Sequence, residues 1–146
     1  MQFPIPDFNQ PIALFLDVDG TLLEFCDSTD DVYPGLELNI ILRSLSSLLE
    51  GALALITGRK ILEIDRMFHP LQLPVGGQHG LEHRDAEGNF KLVKNLKFPK
   101  NIRSQIQCFG EMHPDCAIED KGLTMAIHYR RIPKLEKKVL KFVNRL

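Results

Sequence analysis

Residues 12–21 read IALFLDVDGT, and this stretch decides the fold. Residues 12–18 form a near-continuous apolar run rich in strand formers, typical of a strand buried on both faces of a parallel sheet. The run ends at Gly20, which predicts a sharp turn. Because open α/β sheets bind ligands at the carboxyl ends of their strands, Asp17 and Asp19 are expected at a ligand-binding edge.

The two aspartates suit one kind of chemistry. On a regular strand, side chains two residues apart share a face, so Asp17 and Asp19 can together hold a divalent cation such as Mg²⁺. One carboxylate can attack phosphorus and form an aspartyl-phosphate, while the other protonates the leaving oxygen and later activates water. The structural alternative is a turn in which aspartate and glycine only set the backbone.

Downstream of this stretch, strand and helix patterns alternate. The order indicates an α/β fold with a doubly wound parallel sheet. The pattern predicts a helix between residues 38 and 49, a strand at 52–56, a helix at 61–68 and a strand at 75–77.

After residue 80 the pattern changes to a smaller α+β module. We predict residues 1–81 as the first part of the α/β core and residues 82–146 as a partial α+β cap, with the boundary between 82 and 98. The module is predicted to contain a hairpin of 81–84 and 90–93, a helix at 100–111, strands at 116–119 and 123–129, and a final helix over 135–146.

A second chemical signal is Thr57-Gly58-Arg59, which also follows a predicted strand. The threonine hydroxyl can donate a hydrogen bond to a phosphoryl oxygen, and Gly58 permits close backbone approach. We therefore predict Thr57 and Gly58 as phosphate-binding residues. The alternative is that Thr57 is the N-cap of the next helix.

The composition excludes several classes of protein. The net charge is −1 and charged residues make up 25% of the chain, which argues against a disordered chain and a general polyanion binder. Residues 121–146 carry eight basic residues and one acidic residue, which indicates a solvated basic helix face or, alternatively, a surface for an anionic ligand. Nucleic-acid binding is a distant alternative, because few aromatic residues interleave with these charges.

Cellular context follows from what the sequence lacks. Cys26, Cys108 and Cys116 form no CxxC pair and are interpreted as reduced thiols. We find neither an apolar run long enough to span a membrane nor a leader pattern, and so expect a cytoplasmic protein without a membrane partner.

Five segments in sequence order resemble the trehalose-6-phosphate phosphatases of the haloacid dehalogenase-like phosphohydrolase superfamily. Asp17-Val-Asp-Gly-Thr21 resembles the first motif of the superfamily, and residues 51–59 (GALALITGR) resemble the second motif of the family. The other three matches are residues 77–84 (GQHGLEHR), 119–122 (EDKG) and 128–130 (HYR).

The resemblance implies roles for these residues. Asp17 would be the nucleophile and a Mg²⁺ ligand, and Thr57 a phosphoryl-binding residue. Asp19 would be the general acid/base, with its backbone carbonyl also bound to Mg²⁺. The substrate would be a small sugar phosphate, trehalose 6-phosphate. The residues implied to lie near it are Arg59, Gly80, Glu82, Arg84, Glu119 and Lys121.

Five of the six implied substrate residues have a structural alternative. Arg59 could start a helix and face solvent, and Glu82 and Arg84 could form an exposed charge pattern across strands. Glu119 and Lys121 could be ordinary turn charges. His79 is predicted to be structural, and His128 and Tyr129 to pack within the cap.

The chain departs from the family pattern at two points. Thr57 stands where the family usually has serine, which keeps the hydroxyl. The family's third and fourth motifs, a lysine and a GDDxTDE-like segment, do not occur here, so we expect a truncated chain that is weakly active or inactive alone. The first strand is then expected to present an open edge. The rival functions are another sugar-phosphate phosphatase, or a non-catalytic remnant or regulatory binding module.

Overall fold

The computed structural model describes residues 10–24, 33–93 and 96–146. It divides into two compact units, Met1–Val93 and Lys94–Leu146. Cys26 lies outside the described residues. The elements are β1 (Leu14–Asp17), α1 (Leu36–Leu48), β2 (Leu53–Ile56), α2 (Ile61–Met67), β3 (Val75–Gly77), β4 (Glu82–Arg84), β5 (Phe90–Leu92), α3 (Lys100–Met112), β6 (Ala117–Asp120), β7 (Met125–His128) and α4 (Glu136–Val143).

The first unit is built on a five-stranded sheet in the order β1-β2-β3-β4-β5. The first three strands run parallel, and β4 and β5 are added antiparallel. Because the order of the parallel strands runs in one direction, right-handed crossovers bring α1 and α2 to the same face of the sheet. The predicted α/β architecture with a parallel-rich sheet is confirmed.

The core of this unit lies between that face and the two helices. Alternate residues of each strand point to the helices, which is why Leu14, Leu16, Leu53 and Leu55 are buried or half-buried. The helices contribute apolar residues at helical spacing, chiefly Leu42, Ile61, Ile64, Met67 and Phe68.

The first strand is exposed on its other face. The prediction that residues 12–18 are buried on both faces is wrong, because Phe15 is 66% exposed and Ile56, on the neighbouring strand, is also exposed. Within the described part of the chain β1 pairs only with β2. Among residues 10–24, 33–93 and 96–146 the edge of β1 is therefore open, as predicted, and exposed apolar side chains lie beside it.

The second unit packs α3 and α4 with the two-stranded sheet β6-β7. Its core contains Phe109, Cys116 and Val139, and the rings of Phe109 and Phe142 stack with centroids 4.4 Å apart. Burial raises the pKa of the Cys116 thiol, because desolvation disfavours the thiolate. Tyr129 packs against this core as predicted.

The hairpin β4–β5 belongs to the sheet of the first unit. Residues Glu82 to Arg84 pair with β3, so main-chain hydrogen bonds join this hairpin to the parallel strands. The assignment of residues 82–146 to a functional cap remains a prediction. No helix in the described ranges has the length and apolarity needed to cross a membrane.

Candidate active site

The candidate site lies where β1 and β2 end at their carboxyl termini. Asp17 is in register with Ile56, and Thr57 is the next residue along the neighbouring chain segment. The predicted acidic motif and the predicted phosphate-binding turn therefore meet at one edge of the sheet, as expected for adjacent parallel strands.

Asp17 is the last residue of β1, and Asp19 lies in the tight loop that follows this strand. Val18 is buried, and its carbonyl accepts hydrogen bonds from the N–H groups of Leu22 and Leu23, both at 3.0 Å. Gly20 adopts φ +86°, a left-handed conformation that suits glycine. This loop leaves the Asp17 side chain exposed at the sheet edge, with the Thr21 hydroxyl 3.5 Å from its Oδ2.

Thr57 is held in the loop that follows β2. Its N–H donates to the Gly76 carbonyl at 2.9 Å, and its Oγ1 accepts a hydrogen bond from the Arg59 N–H at 3.1 Å. The alternative that Thr57 caps the next helix is wrong, because α2 begins at Ile61 with Lys60 as its N-cap. The hydroxyl instead organises the Thr57-Gly58-Arg59 loop itself.

Arg59 binds the second aspartate of the acidic motif. Its Nε lies 3.1 and 2.9 Å from the Asp19 Oδ1 and Oδ2 atoms, and its Nη2 lies 2.7 Å from Oδ1. Arg59 is only 7% exposed, so the alternative of a solvent-facing side chain is wrong. This charge-assisted ion pair joins the two motifs, although Asp19 and Arg59 are 40 residues apart in the sequence.

Glu82, on β4, binds the start of α2 just after the loop Thr57-Gly58-Arg59. Its Oε2 accepts the Ile61 N–H at the start of α2 at 2.9 Å, and its Oε1 accepts the side-chain amide of Gln78. Gly80, two residues earlier, adopts φ +91° with open space around it, so backbone conformation explains this glycine. Glu82 lies near the site edge but uses both oxygens for internal contacts.

Arg84 is not brought to the site. Its Nη1 lies 2.7 and 2.8 Å from the carboxylate oxygens of Asp65, and its Nη2 donates to the Leu73 carbonyl at 2.9 Å. Leu73 precedes β3, so these contacts lie toward the end of the strands opposite the aspartates. The predicted exposed charge pattern of Glu82 and Arg84 is wrong, because both side chains have internal partners.

Glu119 and Lys121 lie in the second unit, on the same face of the β6–β7 hairpin. The Lys121 Nζ is 3.5 Å from one Glu119 oxygen, and the His128 Nε2 is 2.8 Å from the other. His128 was predicted to pack within the cap, which is wrong: its side chain is 48% exposed. It lies outside the core because β-strand alternation puts Ile127 and Tyr129 on the packed face.

The donor atoms at the site determine which metal ion it could hold. Within residues 10–24, 33–93 and 96–146, no group of three or more His, Cys, Asp or Glu side chains could hold a metal ion. The available donors are the exposed Asp17 carboxylate and the backbone carbonyl of Asp19, because both Asp19 carboxylate oxygens accept hydrogen bonds from Arg59. This set fits Mg²⁺, which commonly takes one or two protein carboxylates and completes its octahedron with water and substrate phosphate.

Of two residues that shape the site, Gln78 was not identified from the sequence, and His79 was predicted to be structural. Gln78 is 1% exposed and binds Glu82, and His79 lies against Gly58. The signal available in the sequence was that both residues lie between Gly77 and Gly80, close to the predicted end of β3. Their left-handed backbone conformation was not predictable from residue type, because glutamine and histidine rarely adopt positive φ.

A protein-family profile matches most of the chain. The profile of the family described as Trehalose-phosphatase matches residues 15–143. The chain belongs to the trehalose-phosphatase family. Within the match lie Asp17, Thr57 and Glu119, so the family similarity spans both units.

Two curated relatives of this family member are bacterial. A probable trehalose-phosphate phosphatase of Sinorhizobium fredii is 38% identical over 121 residues, covering 83% of this chain and 46% of the relative. The trehalose-6-phosphate phosphatase of Escherichia coli is 32% identical over 142 residues, covering 97% of this chain and 53% of the relative. The chain thus spans about half the length of these relatives.

Solved structures confirm the fold of this family member. The C. albicans trehalose-6-phosphate phosphatase C-terminal domain superposes with a TM-score of 0.81 at 24% identity, covering 94% of this chain and 50% of that one. A haloacid dehalogenase-like hydrolase from B. subtilis gives 0.51 at 22% identity, covering 73% and 35%. The fold is therefore haloacid dehalogenase-like.

Proposed function

We propose that this chain carries the nucleophile and part of the substrate site of a phosphatase that converts trehalose 6-phosphate to trehalose and phosphate. Family membership and the names of the two bacterial relatives support this substrate. The observation that carries the proposal is the register Asp17↔Ile56, which puts Asp17 beside Thr57 at the carboxyl edge of the sheet.

Asp17 is the nucleophile in this proposal. One oxygen of its exposed carboxylate attacks phosphorus, and the bond between phosphorus and the sugar oxygen breaks. An aspartyl-phosphate then exists on Asp17. Water attacks its phosphorus, the bond to the Asp17 oxygen breaks, and phosphate leaves with the carboxylate restored.

Asp19 moves the protons. As an acid it gives a proton to the departing sugar oxygen, which leaves as trehalose, and as a carboxylate it then takes a proton from the attacking water. Arg59 donates two N–H groups to this carboxylate in the present structure. Asp19 must give up part of this contact to carry the proton, so Arg59 determines where Asp19 is held.

Thr57 and Gly58 form the phosphoryl cradle. The buried Thr57 hydroxyl already accepts the Arg59 N–H, and its own proton remains available to donate to a phosphoryl oxygen. Gly58 lets that oxygen approach the backbone. Asp17 and Asp19 would hold Mg²⁺, which supplies neutralisation of the phosphoryl charge when it is bound.

The sugar contacts are assigned to the second unit. Glu119 and Lys121 present a carboxylate and an ammonium group on one face of β6–β7, and such groups bind sugar hydroxyls. We assign Arg59, Gly80 and Glu82 to shaping the edge near the substrate through the contacts described above. Arg84 is assigned to the fold, since it is bound by Asp65 and Leu73.

The test is phosphate release from trehalose 6-phosphate with Mg²⁺, using this chain alone and mixed with the half of the E. coli relative that it does not span. We expect slow or no turnover alone, because phosphoryl transfer depends on charge neutralisation from all sides. In the mixture we expect turnover that Asp17→Asn reduces to background. Asp115→Asn, an exposed aspartate of the second unit, is the matched control.

Each rival function has its own outcome in this assay. Faster release from sucrose 6-phosphate or glucose 6-phosphate would identify another sugar-phosphate phosphatase. Turnover that survives Asp17→Asn would contradict the proposed nucleophile. Specific binding of trehalose 6-phosphate without any turnover in the mixture would favour a non-catalytic binding module.

A further inference from the structure

His79 is attached to the phosphate-binding loop through its backbone. It lies in the turn Gln78–Gly80 that directly follows β3. The His79 N–H donates to the Thr57 carbonyl at 3.0 Å, and the Gln78 N–H donates to the Arg59 carbonyl at 2.8 Å. The two hydrogen bonds fix this turn against the loop Thr57-Gly58-Arg59.

The backbone at His79 is in a conformation that histidine rarely adopts. Its φ and ψ are 57° and 36°, and the preceding Gln78 has φ 47°. Glycine would adopt such angles without strain, yet the chain has an imidazole here. Strained positions of this kind persist where surrounding contacts hold them, and they concentrate at functional sites. The buried Gln78 side chain, bound to Glu82, is one such contact.

The imidazole of His79 lies over Gly58. A Cβ atom on Gly58 would be 2.8 Å from both Cε1 and Nε2 of this ring, which is too close for a real contact. Gly58 is therefore needed for the ring to sit on the loop. The His79 side chain is exposed, and within the described residues its ring has no hydrogen-bond or ion-pair partner.

We propose that His79 contacts the phosphoryl group directly, by donating a hydrogen bond from Nε2 to a phosphoryl oxygen held at Thr57 and Gly58. The inference rests on the proposed function and adds a substrate-binding residue to it. The His79 ring is exposed, has no partner in the part of the chain that the structure describes, and is held by left-handed backbone against the loop that would bind phosphate. This is the geometry of a ligand contact and not of a core residue. It revises the prediction that His79 is structural.

The test is an NMR titration of this chain with inorganic phosphate and with trehalose 6-phosphate, both in the presence of Mg²⁺. We expect the ring signals of His79 and the amide signals of Thr57 and Gly58 to shift along one saturation curve. His83 is the internal control, because it is exposed on the neighbouring strand β4. Trehalose without phosphate should leave the His79 ring signals unchanged.

Two substitutions of His79 test the contact while keeping the backbone conformation at this position. His79→Gly removes the ring and relieves the positive φ, and we expect affinity for phosphate to fall about tenfold, since hydrogen bonds to charged groups contribute at least this much. His79→Gln retains a side-chain N–H donor and should give an intermediate affinity. His83→Gln is the matched control and should leave the affinity unchanged.

The outcomes separate this inference from the proposed function. If the Thr57 and Gly58 amides shift while the His79 ring does not, and His79→Gly binds as tightly as the parent chain, His79 is not a ligand contact and the phosphate site stands. If none of these signals respond to either anion, this inference is wrong, whereas the proposed function is decided separately by turnover in the mixture. A shift of His79 without Thr57 and Gly58 would also overturn this inference, because the ligand would then lie elsewhere.

Discussion

At the scale of single residues, the contact between Arg59 and Asp19 determines how the candidate acid/base is presented. The guanidinium forms hydrogen bonds to both carboxylate oxygens through Nε and Nη2. Lysine cannot reproduce this geometry, because an ammonium group is a point charge without a planar fork. Arg59 was predicted to lie near the substrate, and the structure gives it a partner within the protein.

We expect Arg59→Ala to destabilise the fold by about 1–3 kcal/mol, because it leaves a half-buried carboxylate without its donors. Arg59→Lys should recover part of this loss. Urea unfolding is the measurement, with Arg66→Ala as control, since Arg66 is exposed on α2. A double-mutant cycle with Asp19→Asn should show coupling, and an Arg59→Ala chain as stable as the parent would contradict the expectation.

At the scale of elements, the local sequence pattern predicted the hairpin β4–β5 but not the sheet that it joins. The turn was recognisable: Asp85 accepts the Asn89 N–H at 2.8 Å and its side-chain amide at 3.0 Å. These hydrogen bonds hold the pKa of the Asp85 carboxyl below its ordinary value. The pairing of β4 with β3 was not recognisable, because register between strands is set by partners distant from the turn.

Arg84 connects three segments of the first unit. It joins β4 to Asp65 of α2 and to the Leu73 carbonyl before β3, with its side chain largely buried. Removing one partner from a buried ion pair leaves the other charge uncompensated, so we expect Arg84→Met to cost about 3 kcal/mol. The free energy of unfolding in urea measures this.

A second variant distinguishes the loss of the Arg84–Asp65 ion pair from the loss of side-chain packing. Asp65→Leu combined with Arg84→Met should be more stable than Arg84→Met alone, because no unpaired charge remains. His83→Gln, between Glu82 and Arg84 but exposed, is the control. A loss smaller than 0.5 kcal/mol for Arg84→Met, the size usual for surface substitutions, would show that this contact is not structural.

At the scale of the whole molecule, exposed apolar side chains on one side of the sheet bear on how the chain behaves in solution. Phe15 and Ile56 are exposed beside an edge strand whose outer hydrogen-bonding groups have no strand partner in the described part of the chain. Apolar residues on the outer surface of α1, among them Ile40 and Ile41, are exposed as well. Such edges and patches promote association between chains.

We therefore expect this chain to self-associate as its concentration rises, measured by sedimentation velocity. Phe15→Lys should reduce association, because a charged residue on an edge strand opposes pairing with another strand. Phe90→Lys, an exposed aromatic residue on β5 at the other edge, is the matched control. Equal association of the parent and both variants would contradict a role for the β1 edge.

The sequence by itself determined the elements and their order, because hydrophobic period and the residues that end each segment are local properties. It also determined that Asp17 and Thr57 end neighbouring strands, since parallel strands in an α/β unit bring their carboxyl ends to one edge. Only the tertiary structure decided that Arg59 binds Asp19, that Arg84 binds Asp65, and that His79 lies over Gly58. Each of these contacts depends on side-chain direction and on register between distant segments, which no local pattern encodes.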